Sequence, residues 1–362
     1  MAITVPPGFT IDTIAHVAGA RELAVTPDGD LFVGTSGNNV YLVRDPEKVA
    51  QTPQIFVTLP ENVASGLTFA RNTLYVGTQF AVYRVAYRSG ETHATGAPQK
   101  IASVRTSGEP RGHRTTSLAF ANDKLYASVG SSCNACDPEA DATRATIQEM
   151  APDGSGMHAK AVHFRNAIAL ATNPSTGTVW AAGAEQDALA AGHPYEPMDP
   201  VSLHPGTVDY GWPHCYENRK PADPSANCSA MQPERVVFPA YMTPIGAAFY
   251  PQHPTGRYVF PREYWGGAFV ALHGSWHQPL RAPEVAFVAM RGDEPDRAVD
   301  WNDPTKQSRA FVSGFQAAST ERLGRPTGVA VGRDDDLFVA DDLSGAIYRI
   351  RPAHQTARAN AR

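Results

Sequence analysis

The sequence predicts an all-β protein built as a six-bladed β-propeller with long loop insertions on one face. Three observations lead to this prediction: a hairpin pattern recurs six times, turn-forming residues are abundant, and no segment keeps a helical periodicity over several turns. The chain of 362 residues contains 30 Gly and 30 Pro, more turn residues than a helical protein tolerates. We expect residues 1–352 to form a single propeller domain and residues 353–362 to form a disordered tail.

The recurring pattern consists of two short apolar strands joined by a turn. Its clearest copy is residues 21–33, where alternating apolar residues flank Pro27-Asp28-Gly29. The other copies are residues 65–76, 116–127, 168–180, 245–251 and 327–339. Most copies are followed by a further strand, so each repeat supplies three or four strands, as a propeller blade requires. These further strands are expected at residues 39–43, 81–85, 145–150 and 346–350.

The copies are unevenly spaced along the chain. Early copies are roughly 45 to 50 residues apart and the last ones roughly 80 apart, so the later blades carry long insertions. These insertions could hold short helices, for instance near residues 141–144 and 262–265. The alternating segment 9–15 precedes the first copy, and we expect it to complete the last blade and close the ring.

Charge and hydropathy exclude several classes of partner. The formal net charge is -5, and the charges are scattered, with no basic stripe for nucleic acid and no polybasic membrane patch. No apolar run approaches the roughly 18 residues that a transmembrane helix needs. We therefore expect a small-molecule substrate, no nucleic acid, no transmembrane segment, and a monomer or homodimer.

Four cysteines fall as two locally spaced pairs, Cys133 with Cys136 and Cys215 with Cys228. This spacing favours two short-loop disulfides in an oxidising compartment. Zinc is the competing interpretation, but it usually requires two Cys-x-x-Cys knuckles or histidines at knuckle spacing. The N-terminus lacks the regions of a signal peptide, so we expect a periplasmic or secreted protein whose leader has been removed.

Polar residues precede three of the hairpins at comparable positions: His113, the pair Arg165-Asn166, and Arg325. Innermost propeller strands line a central channel, so equivalent positions in different blades converge, and we call the space between His113, Arg165 and Arg325 the funnel. A histidine accepts protons near neutral pH and arginine binds carboxylates or carbonyls, which together suit alcohol oxidation against an anionic acceptor. Alternatively, each residue hydrogen-bonds loop backbone.

Several motifs resemble the soluble pyrroloquinoline quinone (PQQ)-dependent sugar dehydrogenases, and within them the branch of L-sorbosone dehydrogenases. The resemblance covers nearly the whole chain. Its most specific motifs are Ser131-Ser-Cys-Asn-Ala-Cys-Asp137 with Arg144-Ala-Thr-Ile147, Pro152-Asp-Gly-Ser-Gly156 leading to Arg165-Asn166, Tyr210-Gly-Trp-Pro-His-Cys-Tyr216, Leu272-His-Gly-Ser-Trp276 and Gly324-Arg-Pro-Thr-Gly-Val-Ala-Val331.

The resemblance implies a PQQ- and calcium-dependent enzyme that oxidises a sugar or hydroxyaldehyde and passes electrons to an external acceptor. His113 would be the general base, and Arg165 would bind the quinone carbonyls. Further cofactor contacts would come from Asn166, Arg325, Thr327 and His273. The calcium ligands would come from Glu185, Gln186 and Asp187, because calcium prefers carboxylate and carbonyl oxygens.

The chain departs from the family pattern at Ala167, Ala184 and Glu284, the last of which stands where a lysine is common. These departures motivate a second hypothesis, a cofactor-free or metal-dependent hydrolase, lyase or isomerase. It would use His113 and His273 for acid-base work and Glu185 or Asp187 as metal ligands. A third hypothesis is a non-catalytic sugar-binding propeller.

Other candidate residues have simple structural explanations. Tyr210, Trp212 and Tyr216 could wall the substrate cleft or form a satellite core under a long loop. Asp341-Asp342 is more typical of a turn or cap than of a cation site. Ser275 lacks the Gly-x-Ser-x-Gly setting of a serine hydrolase.

Overall fold

The computed structural model describes residues 3–46, 51–106, 111–275, 277, 280–318 and 321–353. These residues form six sheets arranged as blades, antiparallel except for one short parallel pairing at residues 161–162 and 208–209, together with two short hairpins in the insertions. The predicted six-bladed β-propeller is therefore confirmed. The expected disordered tail lies outside the described residues from residue 354 onward.

The first half of the chain forms three blades. After β1 (Phe9–His16), blade 1 contains β2 (Ala20–Val25), β3 (Leu31–Thr35), β4 (Asn39–Val43) and β5 (Gln54–Thr58). Blade 2 contains β6 (Gly66–Ala70), β7 (Thr73–Gly77), β8 (Ala81–Ala86) and β9 (Gln99–Ser103). Blade 3 contains β10 (Leu118–Ala121), β11 (Lys124–Val129), β12 (Thr146–Met150) and β13 (His158–Val162).

The second half forms the other three blades and the main insertions. The strands of blade 4 and its insertion are β14 (Ala167–Thr172), β15 (Val179–Gly183), β16 (Glu196–Pro200), β17 (Val208–Asp209), β18 (Cys215–Tyr216), β19 (Lys220–Pro221) and β20 (Val236–Phe238). Those of blade 5 are β21 (Pro244–Phe249), β22 (Ala268–Leu272), β23 (Glu284–Val288), β24 (Met290–Arg291), β25 (Glu294–Pro295) and β26 (Ser308–Val312). Blade 6 contains β27 (Pro326–Val331), β28 (Leu337–Asp341) and β29 (Ala346–Pro352).

The first strand of each repeat is the innermost strand of its blade. The inner strands contact one another in the order β2, β6, β10, β14, β21, β27, and β27 returns to β2. β1 pairs antiparallel with β29 as the outer strand of blade 6, so the N-terminal segment closes the ring as predicted. Closure leaves no inner sheet edge exposed.

Each hairpin follows from its local sequence. In the first, Gly29 donates to the Thr26 carbonyl (2.9 Å) and adopts φ +96°, a conformation that favours glycine. Apolar residues that alternate along the strands pack between neighbouring sheets. Between blades 5 and 6, Phe9 lies edge-on to Phe260 and Phe311, with ring centroids 4.7 and 5.2 Å apart. This contact anchors the closing strand.

A small cavity lies between the inner strands. It measures about 30 Å³ and is lined by residues such as Glu22, Leu67 and Leu170. A carboxylate oxygen of Glu22 accepts the Leu67 N–H at 3.0 Å, which ties blade 1 to blade 2 across the channel. Burial raises the pKa of the Glu22 carboxyl to about 8.

Helical structure in the described residues is limited to two single turns of 3₁₀ helix, Arg262–Tyr264 and Pro304–Gln307. The first agrees with the expectation for residues 262–265. The prediction of a short helix near residues 141–144 was wrong. The segment is a turn in which the Asp141 carboxylate accepts the Thr143 N–H (2.8 Å) and hydroxyl (2.6 Å). No described helix has the length and apolar character to cross a membrane.

Candidate active site

His113 lies in the loop that precedes β10. Its main-chain N–H donates to the Ser131 carbonyl at 3.0 Å, and its Nδ1 is 3.1 Å from both the carbonyl and the hydroxyl oxygen of Ser131. The buried guanidinium of Arg105 donates to the His113 carbonyl at 3.1 Å. Arg144 donates to the neighbouring carbonyls of Gly130 and Ser131. The imidazole is therefore fixed by backbone on several sides.

The hydrogen bonds around His113 determine its tautomer. Burial, reinforced by the charge of Arg165, lowers the pKa of His113 to about 3, so the ring is neutral at pH 7 and carries one N–H. Ser131 Oγ donates its single hydrogen to the Cys133 carbonyl (2.7 Å), and the Ser131 carbonyl can only accept. Nδ1 must therefore be the donor, which leaves Nε2 as an unprotonated acceptor.

Arg165 immediately precedes β14 in the next blade, and only 4% of the residue is exposed. Its Nε donates to the Asn134 carbonyl (3.2 Å), and its Nη2 donates to Asn134 Oδ1 and to Asp187 Oδ2, both at 3.0 Å. Nη1 makes a longer bond to the Ala184 carbonyl (3.4 Å). A guanidinium has five N–H groups, so one N–H of Nη1 has no acceptor among the described residues.

His113, Arg165 and Asn166 are brought together where blades 3 and 4 meet. Ser131 donates its N–H to the Arg165 carbonyl at 2.8 Å. A Cβ added at Gly130 would lie 2.3 Å from Asn166 Oδ1 and 2.6 Å from the Cβ of His113, so this close approach requires glycine. Asn166 Oδ1 is buried beside Gly130 and accepts no hydrogen bond in the described structure.

Arg325 and His273 form a second group, around Asp342. The carboxylate of Asp342 accepts Arg325 Nε (2.9 Å) and Arg21 Nη1 (3.1 Å) and lies 3.2 Å from His273 Nε2. Burial lowers the pKa of His273. Burial alone would raise the pKa of Asp342, but the hydrogen bond from His273 and the arginine charges bring it below its usual value. The residue that would pack on His273, Trp276, lies outside the described residues.

Thr327, the remaining predicted cofactor contact, is buried at the start of β27. Its hydroxyl donates to the Ala20 carbonyl of the neighbouring inner strand at 3.1 Å. This hydrogen bond stabilises the junction between blades 6 and 1.

Glu185, Gln186 and Asp187 follow β15. Asp187 is already paired through Oδ2 with Arg165, and its Oδ1 lies 3.5 Å from His277 Nε2. Burial raises the pKa of the Glu185 carboxyl to about 8, against the charge of Arg165, so the group is mostly neutral at pH 7. In the part of the chain that the structure describes, no three His, Cys, Asp or Glu side chains could hold a metal ion together. The mostly neutral Glu185 and the arginine-paired Asp187 therefore do not fit a calcium ion, which prefers carboxylate and carbonyl oxygens.

The cysteines form the two predicted disulfides, Cys133–Cys136 and Cys215–Cys228. The zinc interpretation is therefore excluded, since no cysteine is free. The second disulfide belongs to a small satellite core with Met231. The first closes the short loop that contains Asn134, which we call the disulfide loop (133–136).

The roles of two residues of this region were not predicted from sequence. Asn134 contacts Arg165 and Asp187, and Asp342 gathers two arginines and His273. The Asp341-Asp342 pair was expected to be a turn or cap, and this is correct for Asp341, whose carboxylate accepts three main-chain N–H groups. For Asn134 the available signal was its position between two paired cysteines.

The aromatic residues near the second disulfide are mostly buried. Tyr210 packs edge-on against Phe164 with centroids 5.2 Å apart, and its hydroxyl donates to the Pro200 carbonyl. Trp212 is 2% exposed, and its indole N–H donates to the Asn134 carbonyl at 3.0 Å. Tyr210 therefore belongs to the core between blades 3 and 4, and Trp212 supports the disulfide loop through the Asn134 carbonyl.

Comparisons with known proteins agree with this architecture. Residues 213–353 match the model of the TrAA12-like family. An uncharacterized protein of Borreliella burgdorferi is 22% identical over 366 residues, which cover 96% of this chain and 90% of that protein. The iodide structure of the carbohydrate-active enzyme family AA12 protein of Trichoderma reesei has a TM-score of 0.80 at 18% identity, covering 97% of this chain and 98% of that chain. A calcium structure of the same protein is equally similar, with a TM-score of 0.80 at 17% identity.

The holo form of the PQQ domain of pyranose dehydrogenase from Coprinopsis cinerea also has a TM-score of 0.80, at 16% identity, and the match covers 97% of each chain. At these levels of identity the structural similarity shows that the propeller fold is shared. The match extends over nearly the whole chain, so the insertions are accommodated within the same architecture.

Proposed function

We propose that this propeller is an oxidoreductase of the PQQ-dependent sugar dehydrogenase type, acting on a sugar or an L-sorbosone-like hydroxyaldehyde in the funnel. The observation that carries the proposal is the pairing of an unprotonated His113 Nε2 with a rigidly held Arg165 that retains one free N–H. A base and a fixed hydrogen-bond donor are the two groups that alcohol oxidation against a quinone requires. The similarity to PQQ-containing propellers supports the same choice.

The residues around Asp342 fit an anionic quinone. Arg325 is bound through Nε alone, its side chain is 39% exposed, and neither terminal nitrogen has an acceptor in the described structure. These two nitrogens could form a bidentate pair with a carboxylate of the cofactor. Arg165 would donate its remaining N–H to a quinone oxygen, and Asn166 Oδ1 would accept from a donor on the cofactor.

In the proposed reaction the bound quinone supplies the hydride acceptor. His113 would take the substrate hydroxyl proton on Nε2 as the hydride leaves, while its Nδ1–H remains bonded to Ser131 and keeps the ring in one orientation. Its pKa of about 3 in the ligand-free protein makes it a weak base, and a bound anionic cofactor would offset the Arg165 charge and strengthen it. Arg165 is held by three protein oxygens at 3.0 to 3.2 Å, so its free N–H need not reorganise during the reaction. We infer an extracytoplasmic location, because both cysteine pairs are oxidised.

The proposal is tested by titrating the purified protein with PQQ and following both quinone absorbance and dye reduction with aldoses and hydroxyaldehydes. We expect stoichiometric binding and substrate-dependent reduction. His113→Gln should lower kcat by about 10²–10⁴-fold and leave PQQ affinity within about threefold. Arg325→Gln should instead weaken PQQ binding by about tenfold or more.

A matched control is Arg333→Gln, because Arg333 lies beyond the opposite end of β27 and donates to the Asp28 carbonyl. It should change neither quantity. The proposal fails if PQQ does not bind, or if no sugar or aldehyde reduces the bound quinone. Sugar binding without turnover, unaffected by His113→Gln, would indicate a non-catalytic sugar-binding propeller.

A further inference from the structure

Asn134 lies inside the ring closed by Cys133–Cys136, beside Arg165. We propose that Asn134 is a positioning residue that fixes the direction of the Arg165 guanidinium, and that the Cys133–Cys136 disulfide holds Asn134 in place for this purpose. The assignment of Arg165 to the reaction rests on the proposed function. The positioning itself rests on the contacts of Asn134.

The Asn134 side chain bridges blades 3 and 4. Its Oδ1 accepts Arg165 Nη2 at 3.0 Å and the Asp187 N–H at 2.8 Å, and its Nδ2 donates to the Asp187 carbonyl at 3.0 Å. Asp187 in turn accepts the other N–H of Arg165 Nη2 at 3.0 Å. The Asn134 amide and the Asp187 carboxylate thus bind both N–H groups of Arg165 Nη2.

The main chain of Asn134 holds the other end of the same group. Its carbonyl accepts Arg165 Nε at 3.2 Å and Trp212 Nε1 at 3.0 Å. The Arg165 guanidinium has four contacts. Two are made by Asn134 itself, and a third is made by Asp187, which Asn134 holds in place. Among the described residues, the only side-chain N–H of Arg165 that has no acceptor is on Nη1, so the direction of this N–H follows from where Asn134 lies.

The disulfide restricts where Asn134 can lie. Asn134 is itself exposed, so little packing fixes it, and the disulfide closes a ring with only Ala135 as the other intervening residue. Closing so short a segment removes most of the conformations it would otherwise sample. The same loop provides the Cys133 carbonyl that accepts the Ser131 hydroxyl, and Ser131 holds His113. The loop therefore supports both groups proposed for the reaction.

Kinetics of substituted holoenzyme test the role of the side chain. Asn134→Ala should lower kcat by about tenfold and leave the sugar KM within about threefold, because it misdirects Arg165 without touching the sugar. Asn134→Asp keeps an oxygen for Arg165 Nη2 and for the Asp187 N–H but loses the Nδ2 donor to the Asp187 carbonyl, so its kcat should lie between those of Asn134→Ala and wild type. If Asn134 had only a structural role, Asn134→Ala would lower the melting temperature but would not lower kcat selectively while KM stays nearly unchanged.

Removal of each disulfide tests the role of the ring. Cys133→Ser with Cys136→Ser should lower kcat by about tenfold, whereas Cys215→Ser with Cys228→Ser should leave kcat within about twofold. The second pair is the matched control, because it lies in the satellite core with Met231. Equal kcat losses at similar melting temperatures would overturn the proposal.

Nuclear magnetic resonance (NMR) of the ¹⁵N-labelled protein separates this inference from the proposed function, since it needs no turnover. Asn134→Ala should release the Arg165 Nη2 rotation and leave the Trp212 indole signal unchanged, because that indole is bonded to the main chain. Loss of the Cys133–Cys136 disulfide should shift both signals. An Arg165 side-chain signal that is unchanged in both variants would overturn the inference, even in an active enzyme.

Discussion

His113 Nδ1 lies 3.1 Å from both the carbonyl and the hydroxyl oxygen of Ser131. Because the Ser131 hydroxyl donates elsewhere, both oxygens act as acceptors toward the ring. The tautomer that exposes an unprotonated Nε2 is thereby set before any ligand arrives. Ser131 also donates its N–H to the Arg165 carbonyl, so one residue connects the proposed base to the proposed quinone-binding arginine.

His113 should remain neutral in the ligand-free protein well below its ordinary pKa. Burial and then the Arg165 charge lower that pKa from 6.5 to about 3. We expect ring ¹⁵N shifts to show an Nδ1–H tautomer from pH 8 down to about pH 5. A titration with its midpoint near 6.5 would contradict this. Below pH 6.5 the His113 side chain binds a proton in the unfolded chain but not in the folded protein. His113 therefore makes unfolding more favourable as the pH falls from 6.5 toward 3.

Asp342→Asn should destabilise the ligand-free protein by about 3 kcal/mol at pH 7, because it leaves Arg21 and Arg325 without their shared countercharge in a largely buried position. An anionic quinone should restore part of the loss. The measurement is the free energy of unfolding with and without PQQ. Asp296→Asn is the control, since its partner Arg291 is 83% exposed, and it should cost at most about 1 kcal/mol. A similarly small loss in the free energy of unfolding for both variants would contradict the prediction.

The free energy of unfolding of Glu22→Gln should increase relative to that of wild type as the pH rises. Burial raises the Glu22 pKa from 4.5 to about 8, so the folded protein keeps a proton that the unfolded chain has released. Wild type therefore loses stability as the pH rises from about 4.5 through 8. Urea unfolding at pH 5 and pH 9 should show a change on the order of 4 kcal/mol in the difference between wild type and variant. A difference independent of pH would show that Glu22 is already charged.

The ligand-free protein should bind calcium no better than about 1 mM at pH 7, as measured by isothermal titration calorimetry. Asp187 is paired with Arg165, and the raised pKa of Glu185 keeps that carboxyl mostly neutral. Affinity should increase as the pH rises through 8 and Glu185 ionises, and Glu185→Gln should abolish the increase. Micromolar binding at pH 7 would show that these groups rearrange around the ion.

Much of the architecture could be predicted because it depends on local pattern. The hairpin copies, the closing strand at residues 9–15 and the two cysteine pairs involve short-range periodicity or spacing. The turn at residues 141–144 could not be distinguished from a short helix, because its conformation depends on the hydrogen bonds that the Asp141 carboxylate makes.

The candidate site was harder to predict, since its partners come from different blades. Asn134 and Arg165 are 31 residues apart, and Asp342 meets Arg21 across 321 residues of chain. No local signal reports such pairs. Glu185 and Asp187 have the composition of a cation site, yet burial in one case and an arginine partner in the other change what each carboxyl can bind.

The cavity beside Glu22 and Leu67, between the inner strands, has room for little more than a water molecule. A sugar in the proposed site cannot pass between the inner strands there, so it leaves by the opening through which it arrived, and an electron acceptor uses the same opening. In the proposed reaction the sugar and the acceptor therefore react one after the other. Double-reciprocal plots of initial rate against sugar concentration at several acceptor concentrations should then be parallel, and an excess of one reactant should compete with the binding of the other.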